Sequence, residues 1–216
     1  AAAEHLRGYF LELVAEPASD FLSAIQQRFS GDEDSLIANL IGLCSQTFEA
    51  CAGLIGNTLL ALRRQPALRG ESIDALLSEV QRFDPPVQNT RRFVAAPCEI
   101  AGVRVEAGDV ILVLLASANR DPALNERPEE FLVQRANRRS FSFGSGRHHC
   151  PGQALAMSIA GATVREIFGR GIDLNRLNWH YRPSLNGRIP VFSDVGACQS
   201  VFASRLAPTG LSVVHT

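Results

Sequence analysis

From residue 35 to residue 62 the chain contains no proline and carries apolar side chains on nearly every face, so this stretch is read as one long helix. At ~1.5 Å per residue such a helix is on the order of 40 Å long, and it is expected to cross a domain as a buried strut. The rest of the chain must then be arranged around it. Leu6, Tyr9, Phe10, Leu13 and Val14 recur at helical spacing ahead of Pro17, and Asp20 is placed to cap a second short helix through residues 25–29. GDED, residues 31–34, reads as a loop with acidic caps. A further helix over residues 73–83 must stop at Asp84-Pro85-Pro86.

Beyond those prolines the pattern changes period. Residues 90–94, 98–100, 103–105 and 110–115 are short β-rich runs, with Ala101-Gly102 and Ala107-Gly108 as turns between them, which predicts a small antiparallel sheet. Residues 119–139 read as an ordered irregular loop, residues 153–168 as an amphipathic helix, and residues 179–181 with 189–192 as closing strands. The expected class is therefore mainly α with a small antiparallel sheet, an α+β arrangement without internal repeats.

Composition removes several function classes. The chain has 216 residues, 46% of them hydrophobic, which suits one compact domain or a large piece of one. Lys+Arg (21) and Asp+Glu (22) nearly cancel, so no nucleic-acid partner is expected. The longest apolar run, residues 110–116, is too short to cross a bilayer, and no membrane association is expected. Five scattered cysteines without a CxxC pair or a secretory leader point to the reducing cytoplasm. Cys44, Cys51, Cys98 and Cys198 are read as buried, inert thiols.

The fifth cysteine differs from the others. In FSFGSGRHHCPG, residues 141–152, Cys150 is enclosed by Gly144, Gly146, Pro151 and Gly152. Glycines let a main chain approach a flat ring that a Cβ would block, and a helix opening behind the sulfur favours its negative form. Cys150 therefore reads as a metal-binding thiolate. His148, His149 and Cys150 could instead begin a zinc site, but adjacent side chains diverge and no second ligand pair follows at zinc spacing. His5, His180 and His215 have no partners visible in the sequence.

FSFGSGRHHCPG resembles the cysteine-ligand signature of the cytochrome P450 family of heme-thiolate monooxygenases. In the family's order, Glu79-Val80-Gln81-Arg82 resembles its ExxR helix, Asn119-Arg120-Asp121-Pro122 its strand-to-loop junction, and YRPSLNGRIPVF, residues 181–192, its closing hairpin. The resemblance implies the C-terminal portion of that fold over residues 1–193, with residues 194–216 as a C-terminal extension. It implies heme b as cofactor, Cys150 as axial ligand, and Phe143, Gly144 and Gly152 as the residues shaping the sulfur's surroundings. His148 and Arg92 match positions that anchor the heme propionates. Glu79 and Arg82 would form a buried network with Arg135 that fixes the cysteine loop.

The same resemblance raises two departures. The family's long helix carries an acid followed by threonine over the heme, and anchoring on Gly56-Asn57 places that catalytic pair at Glu49-Ala50, acid kept and hydroxyl missing. Thr47 could substitute only if the register slipped by a turn. The family's N-terminal part, with much of the substrate pocket, has no counterpart, so the chain is expected to form a homo-oligomer, pair with a separate N-terminal piece, or be unstable alone. The leading expectation is hydroxylation of an apolar small molecule with a ferredoxin-type electron donor or peroxide. Arg138, Arg139 and Arg147 could form a donor docking surface or simply a solvated basic face. The alternative is a non-catalytic heme carrier, sensor or degenerate partner subunit.

Overall fold

The computed structural model describes residues 2–15, 20–29 and 31–193. Pro17, Cys198, His215 and the expected extension over residues 194–216 lie outside the described residues. The chain divides into two compact units, Ala1–Cys51 and Ala52–Thr216, with the boundary inside one helix.

In the first unit, α1 (Ala2–Ala15) and α2 (Asp20–Arg28) precede the start of α3 (Glu33–Arg64). The apolar spacing of α1 buries Phe10 and Val14, and Gln26 Nε2 on α2 donates to the Val14 carbonyl at 2.6 Å. Asp32 caps α3 by accepting from the Ser35 amide at 2.7 Å, and that hydrogen bond holds its carboxyl below the usual range. The expectation of a strut buried along its whole length is corrected. Burial is near-continuous only from Cys51 to Leu62, while Leu43 and Phe48 stand 49% and 73% exposed. Helical period follows from local spacing, whereas burial depends on what tertiary structure supplies.

The second unit begins with the last part of α3 and adds α4 (Ile73–Phe83), α5 (Leu115–Ala118) and α6 (Gln153–Gly169). One apolar cluster joins Leu59 and Leu62 of α3, Leu76 of α4, Val133 of the irregular segment, and Val164 and Ile167 of α6. A second joins Leu54, Leu77, Val80 and Ala160. Each fully buried Leu or Val is worth about 1.5–3 kcal/mol, so these contacts dominate the unit's stability. The β-rich runs form separate two-stranded antiparallel ribbons rather than one sheet. β1 (Asn89–Phe93) pairs β4 (Val110–Leu114), with Arg92 opposite Ile111; β2 (Cys98–Ile100) pairs β3 (Val103–Val105); and β5 (Asn178–Tyr181) pairs β6 (Pro190–Ser193). Strand runs are visible in a sequence, but pairing between ribbons depends on edges the runs do not encode. Cys44 and Cys98 are exposed, against expectation, while Cys51 is buried.

Three elements meet where α4 ends. Pro86 approaches α3 so closely that a Cβ on Gly53 would stand 2.6 Å from the proline Cβ, which makes glycine obligatory there. Asn57 Nδ2 donates to the carbonyls of Asp84 (2.9 Å) and Arg188 (3.1 Å), tying the loop and the closing hairpin to α3. Arg188 Nε lies 2.9 Å from Asp84 Oδ1, with side-chain exposures of 43% and 15%. Burial pushes the Asp84 carboxyl up by more than the attraction of Arg188, Arg64 and Arg120 and a long hydrogen bond from Tyr181 pull it down. Arg188 is raised because Tyr181 and Asp84 outweigh its own partial burial.

A carboxyl raised on folding contributes stability at acid pH that is lost as pH rises through its folded value. Asp84→Asn should therefore change stability at neutral pH by no more than about 1 kcal/mol, because the freed Arg188 reaches water. It should also remove the pH dependence just above the ordinary aspartate range. Urea melts of both proteins across that window check this; a neutral-pH loss far beyond that figure would show that the ion pair outweighs burial.

Candidate functional site

Two neighbouring arrangements lie in the second unit: a buried carboxylate on α4 and the loop that presents Cys150. Glu79 and Arg82, one helical turn apart, have fully buried side chains, and Arg82 Nη2 lies 2.7 Å from Glu79 Oε1. Arg82 Nε reaches both Glu79 oxygens at 3.1 Å, and the Nη atoms also reach the carbonyls of Pro128 (2.8 Å) and Glu130 (2.9 Å), with Asn119 O at 3.4 Å. Glu79 Oε1 also accepts from the Leu132 amide at 3.0 Å, and Oε2 accepts from Arg138 Nε at 2.9 Å. Burial alone would raise this carboxyl, but hydrogen bonds from Arg82, Leu132 N and Arg138, with the Arg82 charge, hold it below the ordinary range.

Arg135, expected to complete this network, stands further off, with Nε 3.5 Å from Glu79 Oε1 and no hydrogen bond of its own. Its Nη atoms serve the carbonyls of Glu126, Arg127 and Glu130. Arg138 is turned inward, its side chain 18% exposed, with Nη2 donating to Val133 O at 2.6 Å. It therefore does not belong to an exposed basic face, whereas Arg139 and Arg147 do lie at the surface.

The chain from Arg138 towards the cysteine is held by side-chain amides. Buried Asn119 accepts from Phe141 N at 2.6 Å and donates to Gln81 O (3.1 Å) and Ser142 Oγ (2.9 Å). Buried Asn125 accepts from Arg139 N and donates to Arg139 O, each at 3.0 Å, which mimics a ladder rung. Ser142 Oγ donates to Gln81 O at 2.5 Å. An irregular segment has no ladder of its own, so its backbone groups are satisfied by these side chains. Asn125, Ser142 and the inward role of Arg138 have no counterpart in the sequence reading; the available signal was that an irregular, Asn-rich stretch must find its hydrogen bonds somewhere.

The loop then turns sharply. Gly144 N donates to Phe141 O at 2.8 Å and Cys150 N to Phe143 O at 2.7 Å, closing residues 143–150 into a tight excursion. Gly144 has φ +69°, and a Cβ there would meet His148 O at 2.4 Å, so this glycine is required by both conformation and space. Gly146 has φ +57° with open surroundings. Cys150 is half-buried beside exposed residues 145–149, and α6 starts three residues later with Gly152 as its cap. A Cβ on Gly152 would make only ordinary contact, 3.8 Å, with Cys150 Sγ.

Phe143, Gly144, His148, Cys150 and Gly152 thus share one loop. Arg92 lies on β1, hydrogen-bonded to Thr90 Oγ1 at 3.0 Å and to Arg91 O at 2.8 Å. Glu49, exposed, and Ala50, half-buried, are on α3 within the first unit. Among the described residues no group of three or more His, Cys, Asp or Glu could hold a metal ion, which leaves the zinc reading of His148, His149 and Cys150 without a ligand set. Nor is any described helix long and apolar enough to cross a membrane.

The family model described as cytochrome P450 matches residues 71–168. A putative cytochrome P450 133B1 of Xylella fastidiosa is 32% identical over 91% of this chain and 54% of its own length. The 6-deoxyerythronolide B hydroxylase of Saccharopolyspora erythraea is 33% identical over 89% of this chain and 54% of its own. Among solved structures, P450BioI in complex with an acyl carrier protein ligated to hexadec-9Z-enoic acid superposes with a TM-score of 0.77 at 27% identity, over 88% of this chain and 52% of that one. CYP109E1 of Bacillus megaterium in complex with corticosterone gives 0.75 at 26% identity, over 89% and 56%. The chain spans about half the length of the curated relatives it matches, 54% for the first of them. With its helices, ribbons and glycine-turned cysteine loop forming a portion of that fold, the chain belongs to the cytochrome P450 family.

Proposed function

We propose that residues 1–193 are a heme-thiolate domain that hydroxylates an apolar small molecule, with heme b as cofactor and Cys150 as the residue that would hold its iron. The observation that carries this reading is the half-buried Cys150 at the end of a loop that Gly144 turns sharply, with no cluster of three or more His, Cys, Asp or Glu among the described residues to bind a metal instead. A single thiolate holds iron firmly only where other donors complete the coordination, and a porphyrin supplies four of them. The residues present fit that group: a half-buried sulfur two residues before Gly152, where α6 opens, and no competing ligand cluster among the described residues.

Bound heme would supply iron at which oxygen is activated, with thiolate donation favouring O–O cleavage. The chain's own residues would hold and orient it. Phe143 fixes the loop by accepting the Cys150 amide, and Gly144 permits the turn. His148 and Arg92 are the donors for the propionates, and the Glu79–Arg82 network anchors the segment leading to the sulfur. Electrons would come from a ferredoxin-type donor or with peroxide. The relatives' hydroxylase and corticosterone-bound members support an apolar substrate for this chain.

A second reading, a heme carrier, sensor or degenerate partner subunit, is favoured by one residue. Ala50 follows Glu49 where the family places a hydroxyl, so the hydroxyl that would relay a proton is missing and water would have to stand in for it. Ala50→Thr should raise donor-driven oxidation of an apolar panel towards ~10²-fold, the lower end for a positioned proton donor, while leaving peroxide-driven turnover nearly unchanged. Complete inactivity of heme-loaded parent and variant by either route would favour the carrier.

A further inference from the structure

We propose that Arg138, rather than Arg135, is the positioning residue that sets the Cys150 loop against α4. The two arginines divide the work around Glu79. Arg135 stands 3.5 Å from Oε1, an oxygen already taken by Arg82 and the Leu132 amide, and spends its Nη donors on the 126–130 carbonyls. Its loss would loosen that turn. Arg138 reaches Oε2 at 2.9 Å, an oxygen it shares with Arg82 Nε at 3.1 Å, and Val133 O at 2.6 Å, and thereby fixes the first residue of the run that ends at the sulfur.

From Arg138 the tether is continuous. Arg139 is held at both backbone groups by Asn125, Phe141 by Asn119, and Ser142 by Gln81 O; Phe143 then accepts the Cys150 amide at 2.7 Å. A bidentate guanidinium suits the task because one planar group meets a carboxylate and a carbonyl in fixed directions; an ammonium would hold Glu79 without fixing the angle.

The test compares Arg138→Gln, Arg138→Lys and Arg135→Gln in the full chain, by hydrogen exchange resolved to single amides and without added heme. Arg138→Gln should speed exchange at the Phe141 and Cys150 amides by about tenfold or more while α6 stays protected, and Arg138→Lys should recover part of that protection. Arg135→Gln should leave the Cys150 amide within about twofold of the parent. Unchanged Cys150 exchange in Arg138→Gln, or equal loosening by Arg135→Gln, overturns the proposal. Should Arg138→Gln fail to fold, Arg138→Lys decides alone, intermediate exchange supporting the role and parental exchange removing it.

The proposal rests on the heme-thiolate reading only for its spectral arm. In heme-loaded protein, Arg138→Gln should lose part of the thiolate signature of the reduced carbon monoxide complex, and Arg135→Gln should keep it. A parent that never takes up heme would refute the functional reading and leave the exchange result standing.

Discussion

Glu79→Ala should lower the folding stability of the chain by about 3–5 kcal/mol, the loss expected when one member of a buried charged set is removed. Three guanidiniums surround this carboxylate, two of them with side chains at most 5% exposed, so its removal leaves like charges facing one another without the anion that all three share. Domains of this size are stable by about 5–15 kcal/mol, so the variant would sit near the threshold of folding. Glu79→Gln should fare nearly as badly, since it keeps the shape and loses the charge. The sign with pH is opposite to that at Asp84: a carboxyl held low on folding contributes stability above its unfolded value and loses it as pH falls through the folded one. The acid limb of a stability-against-pH curve should therefore flatten in the Glu79 variants. Urea denaturation at several pH values measures both effects, and a Glu79→Ala loss under about 1 kcal/mol would mean that the surrounding carbonyls, not the carboxylate, hold the arginines.

The elements legible in the sequence were those set by local rules. Helix α4 runs Ile73–Phe83, as its spacing and the Asp84-Pro85-Pro86 stop require, and β2 and β3 occupy the expected residues because turn signals bound them on both sides. What stayed hidden was decided by partners distant in the chain. Phe48 and Leu43 carry the same helical signal as Leu54 and Leu60, yet the first pair is exposed and the second buried. Arg138 reads, with Arg139 and Arg147, as part of a basic face, and Glu79, 59 residues earlier, together with the Val133 carbonyl turns it inward. Asn119 was visible as a junction residue, but its grip on Phe141 and Ser142 depends on a fold that no spacing rule encodes.

The second large effect concerns the sulfur itself. Cys150→Ser keeps the size and the loop, since the turn is fixed by Gly144, by the Phe141 and Phe143 carbonyls and by the amides of Asn119 and Asn125, none of which the thiol supports. The variant should therefore fold with stability within about 1 kcal/mol of the parent, as expected for a replacement that opens no large cavity. Its ligand chemistry, by contrast, should change entirely, because a serine hydroxyl at neutral pH is not the electron-rich donor that a thiolate is.

The most direct measurement is the absorption spectrum of the purified, heme-supplied chain, reduced and exposed to carbon monoxide, recorded alongside Cys150→Ser. The parent should show the red-shifted Soret band of a thiolate-ligated complex, and the variant should lack it while its far-ultraviolet circular dichroism is unchanged. A parent that stays colourless, or a variant whose complex is spectrally identical to the parent's, would contradict the assignment of Cys150 as the iron's ligand.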